Sequence, residues 1–117
     1  MKILLLIVLA AAAHAAPSLS GKWKIQRSAM GRDSQQECTF AQRGNDLTGK
    51  CGTDRGEVEI SGKAEGQQVT WTYKSDSEGG MVTVVYKGNL DSATKMSGIV
   101  SALEFGVDGE FTATQSN

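Results

Sequence analysis

One proline, one histidine and two cysteines are spread over 117 residues, and each scarcity closes a class of explanation. Pro17 precedes everything that reads as folded, so nothing in the remainder breaks a β-ladder for want of an N–H. His14 sits in a segment expected to be removed, which takes away Ser-His and Cys-His nucleophile pairs and histidine-based zinc sites. Positive charge is not in excess, with 12 Lys and Arg against 13 Asp and Glu, and nucleic acid is therefore not an expected partner. Beyond residue 13 no long apolar run follows, whereas a spanning helix needs about 20 such residues. No stable membrane anchor is expected.

What is present begins with Lys2, an apolar run from Ile3 to Ala13, and Ala13-His14-Ala15-Ala16. That order of cation, short apolar stretch and small residues is the anatomy of a cleaved secretory signal over residues 1–16. The lack of a cysteine in Ala16-Pro17-Ser18 argues against a lipoprotein. The mature domain, residues 17–117, keeps 11 basic and 13 acidic residues and is expected to be secreted or periplasmic. In that oxidising compartment the only two cysteines, Cys38 and Cys51, read as one disulfide. With thiols and imidazole gone, carboxylates, lysine and tyrosine are the remaining catalytic vocabulary. The pattern brings few of them together. The expectation is a protein that is not an enzyme, with no catalytic residues, cofactor or metal.

All 14 glycines lie in the mature part, and apolar residues there recur at every second position in short bursts. Trp23 and Ile25 alternate with Lys22, Lys24 and Gln26; Cys38 and Phe40 alternate with Glu37, Thr39 and Ala41; Leu47, Gly49 and Cys51 alternate with Thr48 and Lys50. Later rows are Val58, Ile60 and Gly62; Val69, Trp71 and Tyr73; Val82, Val84, Tyr86 and Gly88; Met96, Gly98 and Val100; and Val107, Gly109, Phe111 and Ala113. Between them, residues 27–35 read as a long rim loop and residues 75–80 as a mobile one.

If Gly44-Asn45 is a two-residue type II′ hairpin loop, Arg43 faces Asp46, Phe40 faces Gly49 and Cys38 faces Cys51. Counting outward from the closing pair places the cysteines at a non-hydrogen-bonded site, where antiparallel chains approach most closely. Turn chemistry and cysteine pairing thus select one register, and closing the ring contributes about 3 kcal/mol on a loop-entropy estimate. A turn at Glu65-Gly66 would similarly set Ile60 opposite Trp71 and Val58 opposite Tyr73.

Eight short strands joined mostly by tight turns predict an all-β fold, a single eight-stranded antiparallel up-and-down β-barrel with one disulfide. Its inward rows gather Phe40, Trp71, Tyr73, Tyr86 and Met96, with Phe111 beside them. Such a cluster either fills the barrel as plain core or lines an apolar pocket in which phenolic hydroxyls orient a ligand. Trp23 reads as a plug at one barrel end. The carboxylate pairs Glu57/Glu59 and Asp108/Glu110 fall on the outer face and read as solvated surface.

Leu19-Ser20-Gly21-Lys22-Trp23 resembles the opening of lipocalins and avidin-like barrels, and Gly109-Glu110-Phe111-Thr112-Ala113 resembles the closing strand of small exported lipocalin-like proteins. The resemblance implies a calycin-type barrel around a small ligand. Lipocalins place an arginine near the end of the last strand, and residues 112–115 contain none. Avidin-like proteins follow Gly-x-Trp with an asparagine and a serine that hold biotin, and Ile25-Gln26-Arg27-Ser28 does not reproduce them, so biotin binding is not implied. Periplasmic inhibitors of secreted metalloproteases are more distantly similar, but here only Pro17-Ser18-Leu19-Ser20 stands where they carry an inhibitory trunk.

The function expected is binding of a small apolar or amphipathic ligand in the interior, with Phe40, Trp71, Tyr73, Tyr86 and Met96 as candidate contacts. The alternatives are a protein-binding module, such as a secreted-protease inhibitor working through rim loops, and an accessory envelope domain without a ligand.

Overall fold

A computed structural model describes residues 18–77 and 79–116; the expected signal segment, residues 1–16, lies outside the described residues. Eight strands follow one another: β1 (Gly21–Ala29), β2 (Arg32–Arg43), β3 (Asp46–Thr53), β4 (Gly56–Glu65), β5 (Gln68–Ser77), β6 (Gly80–Ser92), β7 (Lys95–Ala102) and β8 (Val107–Ser116), with a 3-10 turn at Leu103–Phe105 before β8. Each pairs antiparallel with the next, and β8 pairs with β1 to close the barrel. Closure leaves no strand edge unpaired, which removes the main route by which a small β-protein aggregates.

Alternation decides which face is inside. Trp23, Ile25, Cys38, Phe40, Leu47, Cys51, Ile60, Val69, Trp71, Tyr86, Met96, Phe111 and Ala113 are buried, while their chain neighbours are mostly exposed. The large side chains contribute roughly 1.5–3 kcal/mol each by leaving water. Aromatic rings form one continuous stack through the barrel. Trp71 lies nearly parallel to Tyr86 with centroids 4.5 Å apart, and Phe40 and Phe111 meet Trp71 edge-on at 5.0 and 5.5 Å.

The β2–β3 register agrees with the hairpin argument: Arg43 opposes Asp46, Phe40 opposes Gly49, and Cys38 is bonded to Cys51 with Cα atoms 4.0 Å apart. Gly44 has φ of 60° and Asn45 does not share the positive φ, as a type II′ turn requires.

Three expectations need correction. Residues 27–35 are not a loop; β1 runs to Ala29, β2 starts at Arg32, and the turn is only Met30-Gly31, both with positive φ as in a type I′ turn. Residues 75–80 are not a loop either, because β5 continues to Ser77 and β6 begins at Gly80. The β4–β5 turn lies at Gly66-Gln67, so Trp71 opposes Gly62 and not Ile60. The faces survive that two-residue shift, since side-chain direction repeats every second residue. Bulk selects the register: even a Cβ at position 62 would fall 2.0 Å from the Thr70 carbonyl oxygen and 2.7 Å from the Trp71 Cα.

The two barrel ends differ. At one, Leu19 folds under the strands, its N–H donating to Gln42 Oε1 at 2.8 Å and its carbonyl accepting from Trp23 Nε1 at 2.9 Å. Leu19, Trp23, Leu47, Val69 and Met96 are almost fully buried there, and the turn carbonyls of Asn45, Gln67 and Thr94 accept from Ala64, Leu90 and Gln115 on neighbouring strands. That end is sealed. The opposite end, ringed by the turns after β1, β3, β5 and β7, is open.

Candidate functional site

At the open end β1, β2, β3, β5 and β6 line a cavity of about 730 Å³, within the usual range of about 300–1,000 Å³ for small-molecule pockets. Its floor is polar, with Arg27 from β1, Gln36 from β2 and Tyr73 from β5; Val82 and Val84 from β6 and Phe105 from the 3-10 turn supply apolar wall. A second hollow of about 360 Å³ lies among β1, the start of β2 and β6–β8, with Ala29, Val84, Val100, Ala102 and Val107 as apolar walls and Arg32, Asp33 and Ser34 on its β2 side. Arg27 and Val84 line both, so they form the divide between the two compartments.

Alternation explains each placement. Arg27 continues the inward row Trp23, Ile25 of β1, and Gln36 continues the inward row Phe40, Cys38 of β2. Both rows pass from the greasy middle of the barrel into its mouth, where polar groups replace apolar ones. Among the described residues Gln36 is the buried polar or charged side chain, and its amide capacity is well used. Nε2 donates to the Gly52 carbonyl at 2.7 Å and to the Tyr73 hydroxyl at 2.9 Å, while Oε1 accepts from the Tyr86 hydroxyl at 2.5 Å. Arg27 donates from Nη1 to Tyr86 at 3.3 Å and from Nε to Ser34 at 3.1 Å.

Burial, reinforced by the neighbouring Tyr73, pushes the Tyr86 phenol well above its ordinary value, and the nearby Arg27 charge only partly offsets this. Tyr86 is therefore a neutral O–H donor throughout the physiological range. For Arg27, burial works against the charge, the hydrogen-bonding phenols of Tyr86 and Tyr73 favour it, and the guanidinium stays cationic.

The wall is held in place by a latch. Glu104 accepts from the Thr83 N–H and hydroxyl, each at 2.6 Å, and these bonds draw its carboxyl below the ordinary glutamate range. The 3-10 turn is thereby tied to β6, with the Phe105 ring beside Gly79 at the mouth.

Of the five residues singled out by sequence, Tyr73 lines the cavity and Tyr86 reaches its floor through hydrogen bonds to Arg27 and Gln36. Phe40, Trp71 and Met96 sit deeper, in the packed core between the floor and the sealed end. Trp71 Nε1 is a buried donor without a partner among the described residues. Sequence reasoning passed over Arg27, Gln36, Val82, Val84 and Phe105 as contacts; the parity of Arg27 with Trp23 and of Gln36 with Cys38 was the signal that marks them as inward.

No protein-family model matches the sequence, and no curated protein matches it. Solved structures do match in shape. A redesigned β-barrel superposes with a TM-score of 0.67 at 20% identity, over 85% of this chain and 92% of that one. The redesigned β-barrel mFAP1 bound to DFHBI has a TM-score of 0.63 at 18% identity, over 88% of this chain and all of that one. The redesigned barrel mFAP0, also bound to DFHBI, has a TM-score of 0.59 at 18% identity, over 83% and 98%. At these identities the likeness establishes a shared fold, the closed up-and-down β-barrel.

Proposed function

We propose that this protein is an exported, non-enzymatic barrel that binds a small amphipathic ligand at its open end, in the manner of lipocalin-like proteins. The carrying observation is the cavity of about 730 Å³, whose floor of Arg27, Gln36 and Tyr73 is polar while Val82, Val84 and Phe105 offer apolar wall. Apolar walls with a few placed polar groups are what small-ligand sites are made of. Two barrels of similar shape bind DFHBI, which supports the reading without naming a natural ligand. The reading is non-enzymatic, and what supports it is that Gln36, Tyr73 and Tyr86 are tied to one another by hydrogen bonds rather than standing free.

Export rests on residues 1–16 and on the Cys38–Cys51 bond, which persists in an oxidising compartment. Among the described residues no helix is long and apolar enough to cross a membrane.

The test is an amide chemical-shift titration with fatty acids, retinoids and small aromatics. Tryptophan emission is a poor substitute, since Trp23 and Trp71 both lie outside the cavity lining. Shifts confined to the open-end ends of β1, β2, β5 and β6 support the reading; a panel without shifts there refutes it.

A protein partner is a second reading, favoured by exposed apolar side chains around the same mouth: Met30, Met81, Leu103 and Phe105 are each more than half exposed. Val84→Trp separates the two, because filling the mouth abolishes small-ligand binding and leaves a rim-docked protein in place.

A further inference from the structure

We infer that the ligand is an amphipathic anion whose head group is held by Arg27, an inference that rests on the ligand-binding reading above. Arg27 enters the barrel mouth from the inward row of β1 and is half-buried there. A guanidinium carries five N–H donors, and among the described residues Arg27 donates to Ser34 and to Tyr86, with the Tyr73 hydroxyl also near enough to favour its charge. Neither acceptor is charged. Among the described residues the single ion pair is Lys63–Asp46 on the outer surface, so no carboxylate lies within 4.0 Å of Arg27.

A cation withdrawn from water is costly unless paired. Tyr86 does not supply the missing charge, because it keeps its proton. The carboxylates along the two hollows, Glu37, Asp54 and Asp76 in the larger and Asp33 in the smaller, are exposed to solvent and do not come within 4.0 Å of the guanidinium. The site thus has a cation lining both hollows, with donors beyond those used for Ser34 and Tyr86 and, among the described residues, no carboxylate paired with it. An incoming oxyanion completes it, and a carboxylate or similar planar or tetrahedral head matches the guanidinium fork.

The position of Arg27 also places the rest of the ligand. It divides the polar-floored compartment from the smaller one walled by Ala29, Val84, Val100, Ala102 and Val107. A head group on the guanidinium leaves an attached hydrocarbon next to those apolar walls, where burying it is favourable. Head and tail are read by adjoining halves of one mouth.

Dodecanoate and dodecanol share a tail and differ in charge, so their affinities for the wild-type protein, Arg27→Lys and Arg27→Gln isolate the head-group term. The wild type is expected to prefer dodecanoate by at least about ten-fold, as loss of a charge-assisted hydrogen bond implies. Arg27→Lys keeps most of that preference and Arg27→Gln loses it. Equal binding of the two by the wild type, or an undiminished preference in Arg27→Gln, overturns the inference while leaving ligand binding standing. Failure of both compounds to bind removes the ligand-binding reading itself. Should Arg27→Gln not fold, the side-chain Nε–H resonance of Arg27 in the wild type decides: movement with dodecanoate and not with dodecanol supports the assignment, and no movement with either overturns it.

Discussion

The Tyr86 hydroxyl donates to Gln36 Oε1 at 2.5 Å and so joins the aromatic core to the floor of the open-end cavity. The same ring stacks on Trp71 below, and the same oxygen accepts from Arg27 above. One side chain therefore belongs to packing and to the site at once. Tyr86→Phe preserves the stack and strands Gln36 Oε1 without its donor. A buried acceptor left unpaired costs about 1–3 kcal/mol, so urea unfolding is expected to show a loss of that size. Ligand affinity is expected to fall with it, because Arg27 loses its anchor. A stability loss without any change in affinity would separate the network from the site.

Two glycines with contrasting surroundings test the packing account. Gly62→Ala forces a Cβ to within 2.0 Å of the Thr70 carbonyl oxygen, and the obstacle is backbone that cannot swing aside. Overpacking of this kind costs about 1–3 kcal/mol or more, and the melting temperature is expected to drop sharply. Gly44→Ala meets open space but sits at φ of 60°, so its cost is the left-handed strain of about 1–2 kcal/mol. Denaturant midpoints for the two variants give the comparison: Gly62→Ala is expected to be the more damaging.

Met30 has φ of 54° and is 80% exposed, a strained and apolar residue at the first position of the Met30-Gly31 turn. Asparagine tolerates that conformation far better. Met30→Asn is expected to raise stability by about 1 kcal/mol, measured by chemical denaturation. If the methionine belongs to the ligand's entrance, affinity for an apolar tail drops as stability rises.

The Glu104 latch carries a pH dependence with a definite sign. Its carboxyl is held below the ordinary glutamate range chiefly by the Thr83 hydroxyl, with the Thr83 N–H adding to it. A group whose folded value is depressed contributes its stabilisation fully above the unfolded value and loses it as pH falls through the folded one. The Thr83 amide resonance is expected to titrate with a midpoint below the usual glutamate range. Glu104→Gln should abolish that transition. A midpoint at the ordinary value would mean the latch is open in solution.

Much of the barrel was legible because a buried interior imposes alternation on every strand. The β2–β3 hairpin was readable to the residue, since Gly44-Asn45 and the cysteine pair fix its register independently. The β4–β5 register was not: a period of two determines the face but leaves a slip of two residues open, and only the bulk of Trp71 against Gly62 settles it. The site was hidden for a related reason. Residues 27–35 and the adjoining Gln36 belong largely to strands whose inward side faces the open mouth, so Arg27, Ser34 and Gln36 stand where apolar residues would have announced a strand. The strand ends that look least like strands are those that build the cavity. Phe40, Trp71 and Met96 were recognisable as interior, but composition does not tell how deep along the barrel axis a residue sits.

Intermolecular nuclear Overhauser contacts from a bound amphipath, dodecanoate for preference, to the methyl groups of the barrel report its position directly. Contacts from its hydrocarbon to Val84, Val100 and Val107 at the open end are the expected result. Contacts confined to outward-facing residues such as Ile99, which is half exposed on β7, would contradict an internal site.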